Sequence, residues 1–148
     1  MLAEILLPDP VNLELIGVMI EGNTIVLTVE ALDPIAICPD CHFPSQRVHS
    51  RYRRTVFDLP CAGRKTLLHL IVRRFFCDNE MCRRKTFVEQ FPRILDPFAR
   101  RTKRLIATQH QVGLALGGEA GARVLETIVM PSSSDTVLRL IRDSGSQE

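Results

Sequence analysis

Cys38-Pro39-Asp40-Cys41, and some thirty residues later Val72-Arg73-Arg74-Phe75-Phe76-Cys77 running on to Cys82, are the stretches whose reading decides the fold. Each puts two thiols on one short loop. Four thiolates from two such loops can converge on a single tetrahedral zinc ion. The apolar, β-branched run 65–76 leads straight into Cys77, and Lys85-Thr-Phe-Val-Glu89 leaves after Cys82. A strand entering a knuckle and another leaving it is the layout of a zinc ribbon. The expectation is one structural zinc held by Cys38, Cys41, Cys77 and Cys82, closed to water and without catalysis at the metal. A redox-active Cys-x-x-Cys would need a βαβ setting that this region lacks. Simple burial of four thiols leaves their pairwise spacing unexplained. Cys61, in a turn after Pro60, reads as a small buried hydrophobe. His42, His49, His69 and His110 have no ligand-like spacing.

Working outward, 148 residues at 45% hydrophobic content suffice for one domain or two small ones, with a mainly aliphatic core because tryptophan is absent. No apolar run is long enough to span a bilayer. The start, with Glu4 and Pro8 and no basic segment, does not read as a signal peptide. The reading is a cytoplasmic protein, where paired cysteines serve metal rather than disulfides.

The net charge of +2 conceals a segregation. Residues 1–46 hold seven acids and no Lys or Arg, whereas residues 47–104 hold sixteen Lys/Arg against five acids. Like charges held together need a counter-charge, and phosphate supplies one. The candidate contacts are Arg51, Arg53, Arg54, Arg73, Arg74, Arg83, Arg84, Lys85, Arg100, Arg101, Lys103 and Arg104. Tyr52, Phe75 and Phe76 have the chemistry to stack on bases, although packing in the ribbon is the expected job.

The predicted fold class is α+β: an N-terminal β-hairpin over 1–34, a zinc-ribbon-like β domain over 35–92, and a small three-helix, helix-turn-helix domain over 98–143. A disordered tail over 144–148 follows. The hairpin turns at Gly22-Asn23, and Leu59-Pro60 and Gly63 break the extended stretch that starts near residue 46. Phe91 to Pro97 reads as a linker. Leu105, Thr108, Val112 and Leu116 lie at helical spacing, stopped by Gly117-Gly118. A second helix runs from Glu119 to about Val129. After a Pro-Ser turn, a last helix spans about Ser134 to Arg142, with Val137, Leu138 and Ile141 inward. In a helix-turn-helix the second helix presents its N-terminal end to the major groove, here Ser133, Ser134, Thr136 and Arg139. An arginine can pair with guanine in bidentate fashion.

Several of these elements recur in order in one known family. Cys38-Pro-Asp-Cys41, His49-Ser-Arg-Tyr-x-Arg54, Asp58-Leu-Pro60, Val72-Arg-Arg-Phe-Phe-Cys77, Cys82 and Phe87-x-Glu-x-Phe-Pro92 are followed by Ala99-Arg-Arg-Thr102, Gly113-x-Ala-Leu-Gly-Gly118, Ala120-Gly-Ala-Arg123 and Asp135-Thr-x-Leu-Arg139. The sequence over roughly 35–142 resembles the N-terminal part of bacterial insertion-sequence transposases of the ISL-three family. The resemblance implies a zinc finger and helix-turn-helix that bind the terminal inverted repeats of a mobile element, ahead of a DDE catalytic domain. With Glu148 as the last residue, the reading is a truncated or separately encoded DNA-binding piece, not an enzyme by itself. Its expected partner is double-stranded DNA, with self-association or a full-length transposase as further partners, and neither a membrane nor a small-molecule substrate. The rival is a zinc-ribbon module that binds protein, its acidic hairpin pairing through an edge strand.

Overall fold

The computed structural model describes residues 1–145. Of the predicted tail over 144–148, residues 146–148 lie outside the described residues. The fold is α+β, a mixed sheet with four helices. The N-terminal segment, placed within the expected β-hairpin unit over 1–34, opens with a short helix, α1 (Leu2–Leu6), whose Ala3 and Leu6 pack on the core.

Strands β1 (Leu13–Glu21) and β2 (Thr24–Ala31) form the expected antiparallel hairpin. Its turn has Gly22 at φ 59°, the left-handed first position for which glycine is suited. A small ribbon, β3 (Ala36–Ile37) with β4 (Pro44–Ser45), carries the first knuckle between its strands. The long hairpin β5 (Val48–Cys61) and β6 (Arg64–Phe76) follows, and β7 (Thr86–Val88) pairs with the end of β6. Strand order is β1-β2-β6-β5, and β2 lies parallel to β6 from Thr24↔Lys65 to Glu30↔Ile71. The sheet therefore crosses the boundary expected at residue 34: the N-terminal hairpin and the long hairpin share one sheet.

The expected break at Leu59-Pro60 is a register shift between Asp58 and Cys61, with the strand continuing to Cys61. Proline lacks a donor, and β5 is an edge strand where none is required. The hairpin closes on Ala62 and Gly63, both at positive φ, the pattern whose twist matches that of two paired strands.

Alternation along β2, β5 and β6 sends Leu27, Val29, Val56, Leu68, Leu70 and Val72 to one face, where Leu7, Leu13, Ile94 and Leu95 cover them. Ile94 and Leu95 belong to the stretch expected as a linker; their burial anchors it on the sheet.

Three helices complete the chain: α2 (Lys103–Leu116), α3 (Gly118–Thr127) and α4 (Ser134–Ser144). Thr102 caps α2 by accepting from Leu105 N, and Gly117, at φ 80°, ends it where glycine was expected to. Ser133 caps α4, accepting from Thr136 N. The helices pack pairwise around Leu105, Leu125, Met130 and Val137. The approach is close: a Cβ on Gly113 would sit 2.7 Å from Val137 Cγ1, and one on Gly118 2.8 Å from Leu138 Cγ. Leu138, expected to point inward, is partly exposed over that glycine, and Val124 and Ile128 of α3 are exposed as well. Leu59 of β5 joins the helical core, and Phe57 exchanges backbone hydrogen bonds with Arg100 and Thr102, so the helices are docked on the sheet. No helix among the described residues is long and apolar enough to cross a membrane.

Candidate metal centre and basic surface

The first knuckle is shaped by its backbone. Cys38 N donates to Phe43 O at 3.1 Å, His42 N donates to Cys38 O at 2.9 Å, and His42 takes the left-handed φ of 60° that reverses the chain. The second is closed by Cys77 N to Lys85 O at 2.9 Å and Cys82 N to Asn79 O at 3.0 Å, and the Asn79 side chain accepts from Met81 N. Beneath them lie Ala36, Phe75 and Phe87, the two rings stacked at 5.7 Å.

The four predicted ligands meet. The Sγ atoms of Cys38, Cys41, Cys77 and Cys82 all lie within 4.8 Å of one another, and none forms a disulfide. Cys41 Sγ and Cys77 Sγ stand 3.6 Å apart. Sulfurs at about 2.3 Å from a tetrahedral zinc stand about 3.8 Å apart, so the donor set fits a four-sulfur metal site. No histidine joins the group.

The thiols are mutually inconsistent without a cation. Burial would raise Cys41, but the Phe43 amide, Asn79 and the neighbouring thiols outweigh it and bring it to about 7. At Cys77 the Asn79 amide favours the thiolate, yet burial and the adjacent sulfurs push it up to about 12. Cys82 is also raised, against its Arg84 amide, by burial and the neighbouring sulfurs. Four sulfurs in one place cannot all ionise beside each other; a divalent cation removes that conflict.

Two ion pairs tie the knuckles together. Asp40 of the first accepts from Arg84 Nε at 2.7 Å, which holds the Asp40 carboxyl below its ordinary range. Asp78 of the second accepts from Arg47 Nε at 2.6 Å and from Ser45 Oγ at 3.3 Å.

The predicted basic residues divide by their surroundings. Arg51, Arg53, Arg74, Arg83, Lys85 and Arg100 are exposed and make no hydrogen bond or ion pair through their side chains among the described residues. Arg73 requires a correction. It is 8% exposed, and its guanidinium is spent on Glu89 (Nε to Oε1 3.0 Å, Nη2 to Oε2 2.7 Å) and on Asp33 O. An arginine buried on its own carboxylate already has its charge countered within the fold, which removes the main drive toward a phosphate. Arg104 is likewise committed, to the fully buried Asp58. Its neighbour Lys103 donates to Pro92 O and pairs with Asp96 at 3.5 Å. Arg54 donates to Ala99 O at 2.6 Å, and Arg101 to Gln109 Oε1 at 2.6 Å.

Of the four residues expected on the reading helix, Ser133 and Thr136 are joined by the cap, Ser134 is half-buried, and Arg139 is exposed. The first turns of α4 open onto a cleft shared with Lys65, Arg100 and Arg101 at the end of the long hairpin. Arg101 is pulled below its ordinary range by burial and by the charge of Arg139. Of the aromatics considered for stacking, Phe75 is wholly buried and Phe76 packs against His49 and Arg47, leaving Tyr52 exposed. Phe98, the first residue of the expected helical domain, is 96% exposed; a lone Phe after Pro97 gave no periodic signal.

Neither a curated protein nor a solved structure matches the chain. Residues 35–82, which contain both knuckles and the long hairpin between them, are matched by the family model of the zinc-finger of transposase IS204/IS1001/IS1096/IS1165.

Proposed function

We propose that this chain is a zinc-dependent, DNA-binding module of an insertion-sequence transposase, which recognises the element's terminal inverted repeats. The observation that carries the reading is the four-sulfur cluster inside the matched zinc-finger segment. It stands beside exposed arginines that find no counter-charge among the described residues. Four cysteine thiolates in a closed tetrahedron suit a structural zinc ion. Cys38, Cys41, Cys77 and Cys82 would hold it, and it would fix the two knuckles relative to the long hairpin. Arg51 and Arg53 on β5, with Arg83 and Lys85 after the second knuckle, then face phosphates. Arg139 of α4 reads base edges in the manner of a helix-turn-helix. The charge asymmetry sets the orientation: the acidic first 46 residues face away from DNA.

The test is metal analysis combined with mobility shift on the adjacent element ends. The expected results are about one zinc per chain, loss of the complex on chelation, and a log–log salt slope of about −0.9 per phosphate contacted. A chain that holds no metal, or a complex indifferent to salt, would sink the reading.

A second reading has one observation in its favour. The outer strand β1 leaves Ile16, Val18, Met19 and Ile20 exposed, as an edge that pairs with another protein would. An absence of any mobility change with duplex DNA at moderate salt would favour it.

A further inference from the structure

Asp96-Pro97-Phe98-Ala99 is a β-turn closed by Ala99 N donating to Asp96 O at 3.1 Å. Proline holds its second position, and Phe98 at the third has φ 61°. Among hydrogen-bonded turns, positive φ at the third position alone marks type II, where glycine is the usual residue because a side chain there is strained. Here that position carries a phenylalanine whose ring is almost entirely in solvent. The ring contributes nothing to the core, and the backbone beneath it is held in an unfavourable conformation. Such strain persists only where the surroundings impose it, and it concentrates at functional sites.

The surroundings do impose it. Arg54 Nη2 grips Ala99 O at 2.6 Å, Lys103 pairs with Asp96, and Lys103 N donates to Ile94 O at 2.8 Å. The turn is fixed at both ends, to β5 and to the start of α2, so its tip is presented without a large ordering cost on binding. The ring borders a groove shared with Tyr52, which is also exposed, and with Arg54, Arg84 and Arg100. Arg54 and Arg84 are held by Ala99 O and Asp40, whereas Arg100 is exposed and has no side-chain partner among the described residues. The groove thus offers what a nucleic-acid strand with unstacked bases requires: rings for the base faces and a free guanidinium for a phosphate.

We infer that Phe98, with Tyr52, is a stacking platform for an unpaired DNA base, adjacent to the duplex-binding arginines. The inference rests on the DNA-binding reading and adds to it a site for single-stranded or locally opened DNA. It also accounts for a phenylalanine where the turn itself selects glycine.

The zinc-loaded full chain is titrated with oligo-dT, with a blunt mixed-sequence duplex, and with the same duplex carrying an internal gap, by fluorescence anisotropy. Phe98→Gly is expected to weaken binding of oligo-dT and gapped duplex by about 5- to 150-fold, the range of one stacked base, and to leave the blunt duplex within about twofold. The same substitution is expected to raise the melting temperature, because glycine relieves the turn; a ring with a purely structural role would lower it. Since the chain contains no tryptophan, Phe98→Trp supplies a single reporter, expected to keep oligo-dT affinity and to be quenched on binding. Equal loss on all three DNAs, or an unquenched Trp with unchanged affinities for Phe98→Gly, would overturn the platform while the DNA reading stands. Failure of the wild-type chain to bind any of the three would overturn the DNA reading and the platform with it.

Discussion

The Asp58 carboxylate is wholly out of solvent and takes two hydrogen bonds from Arg104, from Nε at 2.8 Å and from Nη2 at 2.5 Å. It also accepts from Thr102 Oγ1 and Leu59 N, both at 2.8 Å. One side chain on β5 thus fixes the strand end, the cap residue of α2 and that helix's first turn. Removing Asp58 leaves Arg104, about a third exposed, to solvent but strands the buried Thr102 hydroxyl and the Leu59 amide, at about 1–3 kcal/mol. Asp58→Ala is expected to lower the urea unfolding free energy by about that much, and Asp58→Asn, which keeps the shape and part of the bonding, by less. Hydrogen exchange should locate the loss at the joint, with α2 amides exchanging faster than those of β2 and β6. Unchanged stability would mean that apolar packing around Leu59 alone holds the helices to the sheet.

The cysteine cluster fixes the direction of a pH effect. Without metal, Cys77 sits up at about 12 and Cys82 is raised, so both carry protons at neutral pH; Cys41 sits near 7. Metal binding must displace these protons, so the metal-free form holds more protons and lowering the pH favours it. Apparent zinc affinity is expected to fall with falling pH and to fall more steeply below about pH 7, where Cys41 also takes a proton. Competition against a chromophoric chelator across pH 6–8 measures this. A flat profile would mean that these thiols are not the ligands.

The cysteine spacing and the apolar run 65–76 were enough to read the ribbon, because a metal knuckle and a strand-length apolar run are local patterns. Gly117 and Ser133 likewise announce helix ends through their own backbone chemistry. The parallel pairing of β2 with β6 was not legible: it joins segments about 40 residues apart and depends on which faces fit, not on any local pattern. For the same reason Arg73 read as one more surface arginine. Its position between Val72 and Arg74 says only that it lies in a strand, and its partner Glu89 is brought to it by the β6–β7 register. Phe98 was hidden in an aperiodic stretch, and only the backbone angle distinguishes it from a linker residue.

Arg73 and Arg51, directly opposite each other on β6 and β5, should therefore separate in experiment. Arg73→Ala leaves Glu89 buried and unpaired, and the expected effect is a lowered urea midpoint of the metal-loaded chain, about 3 kcal/mol or more. DNA affinity of the molecules that remain folded should be unchanged. Arg51→Ala should leave stability within about 0.5 kcal/mol while weakening DNA binding to all sequences and lowering the salt slope by about one. An Arg73→Ala chain of normal stability but weakened DNA affinity would return Arg73 to the docking surface.

Arg101 and Arg139 face the same cleft, and the charge of Arg139 helps to depress Arg101. Arg101 spends a donor on the neutral Gln109 amide, and Arg139 makes no ion pair among the described residues. Asp58, which also lines the cleft, is engaged by Arg104, so the two guanidinium groups repel, and a phosphate entering the cleft would turn that repulsion into attraction. Arg139→Ala is thus expected to have opposite signs in two assays. It should raise the melting temperature slightly at low salt, with the gain vanishing as salt screens charges beyond about 10 Å at 0.1 M. It should also weaken DNA binding and flatten the preference among sequences at the position it reads, by about 1–3 kcal/mol of discrimination. Arg139→Lys keeps the charge but loses the bidentate fork, so it should retain the affinity for non-specific DNA and lose the preference. A substitution that lowers affinity equally for every sequence, with the lysine variant indistinguishable from wild type, would make Arg139 a phosphate contact and remove α4 from base reading.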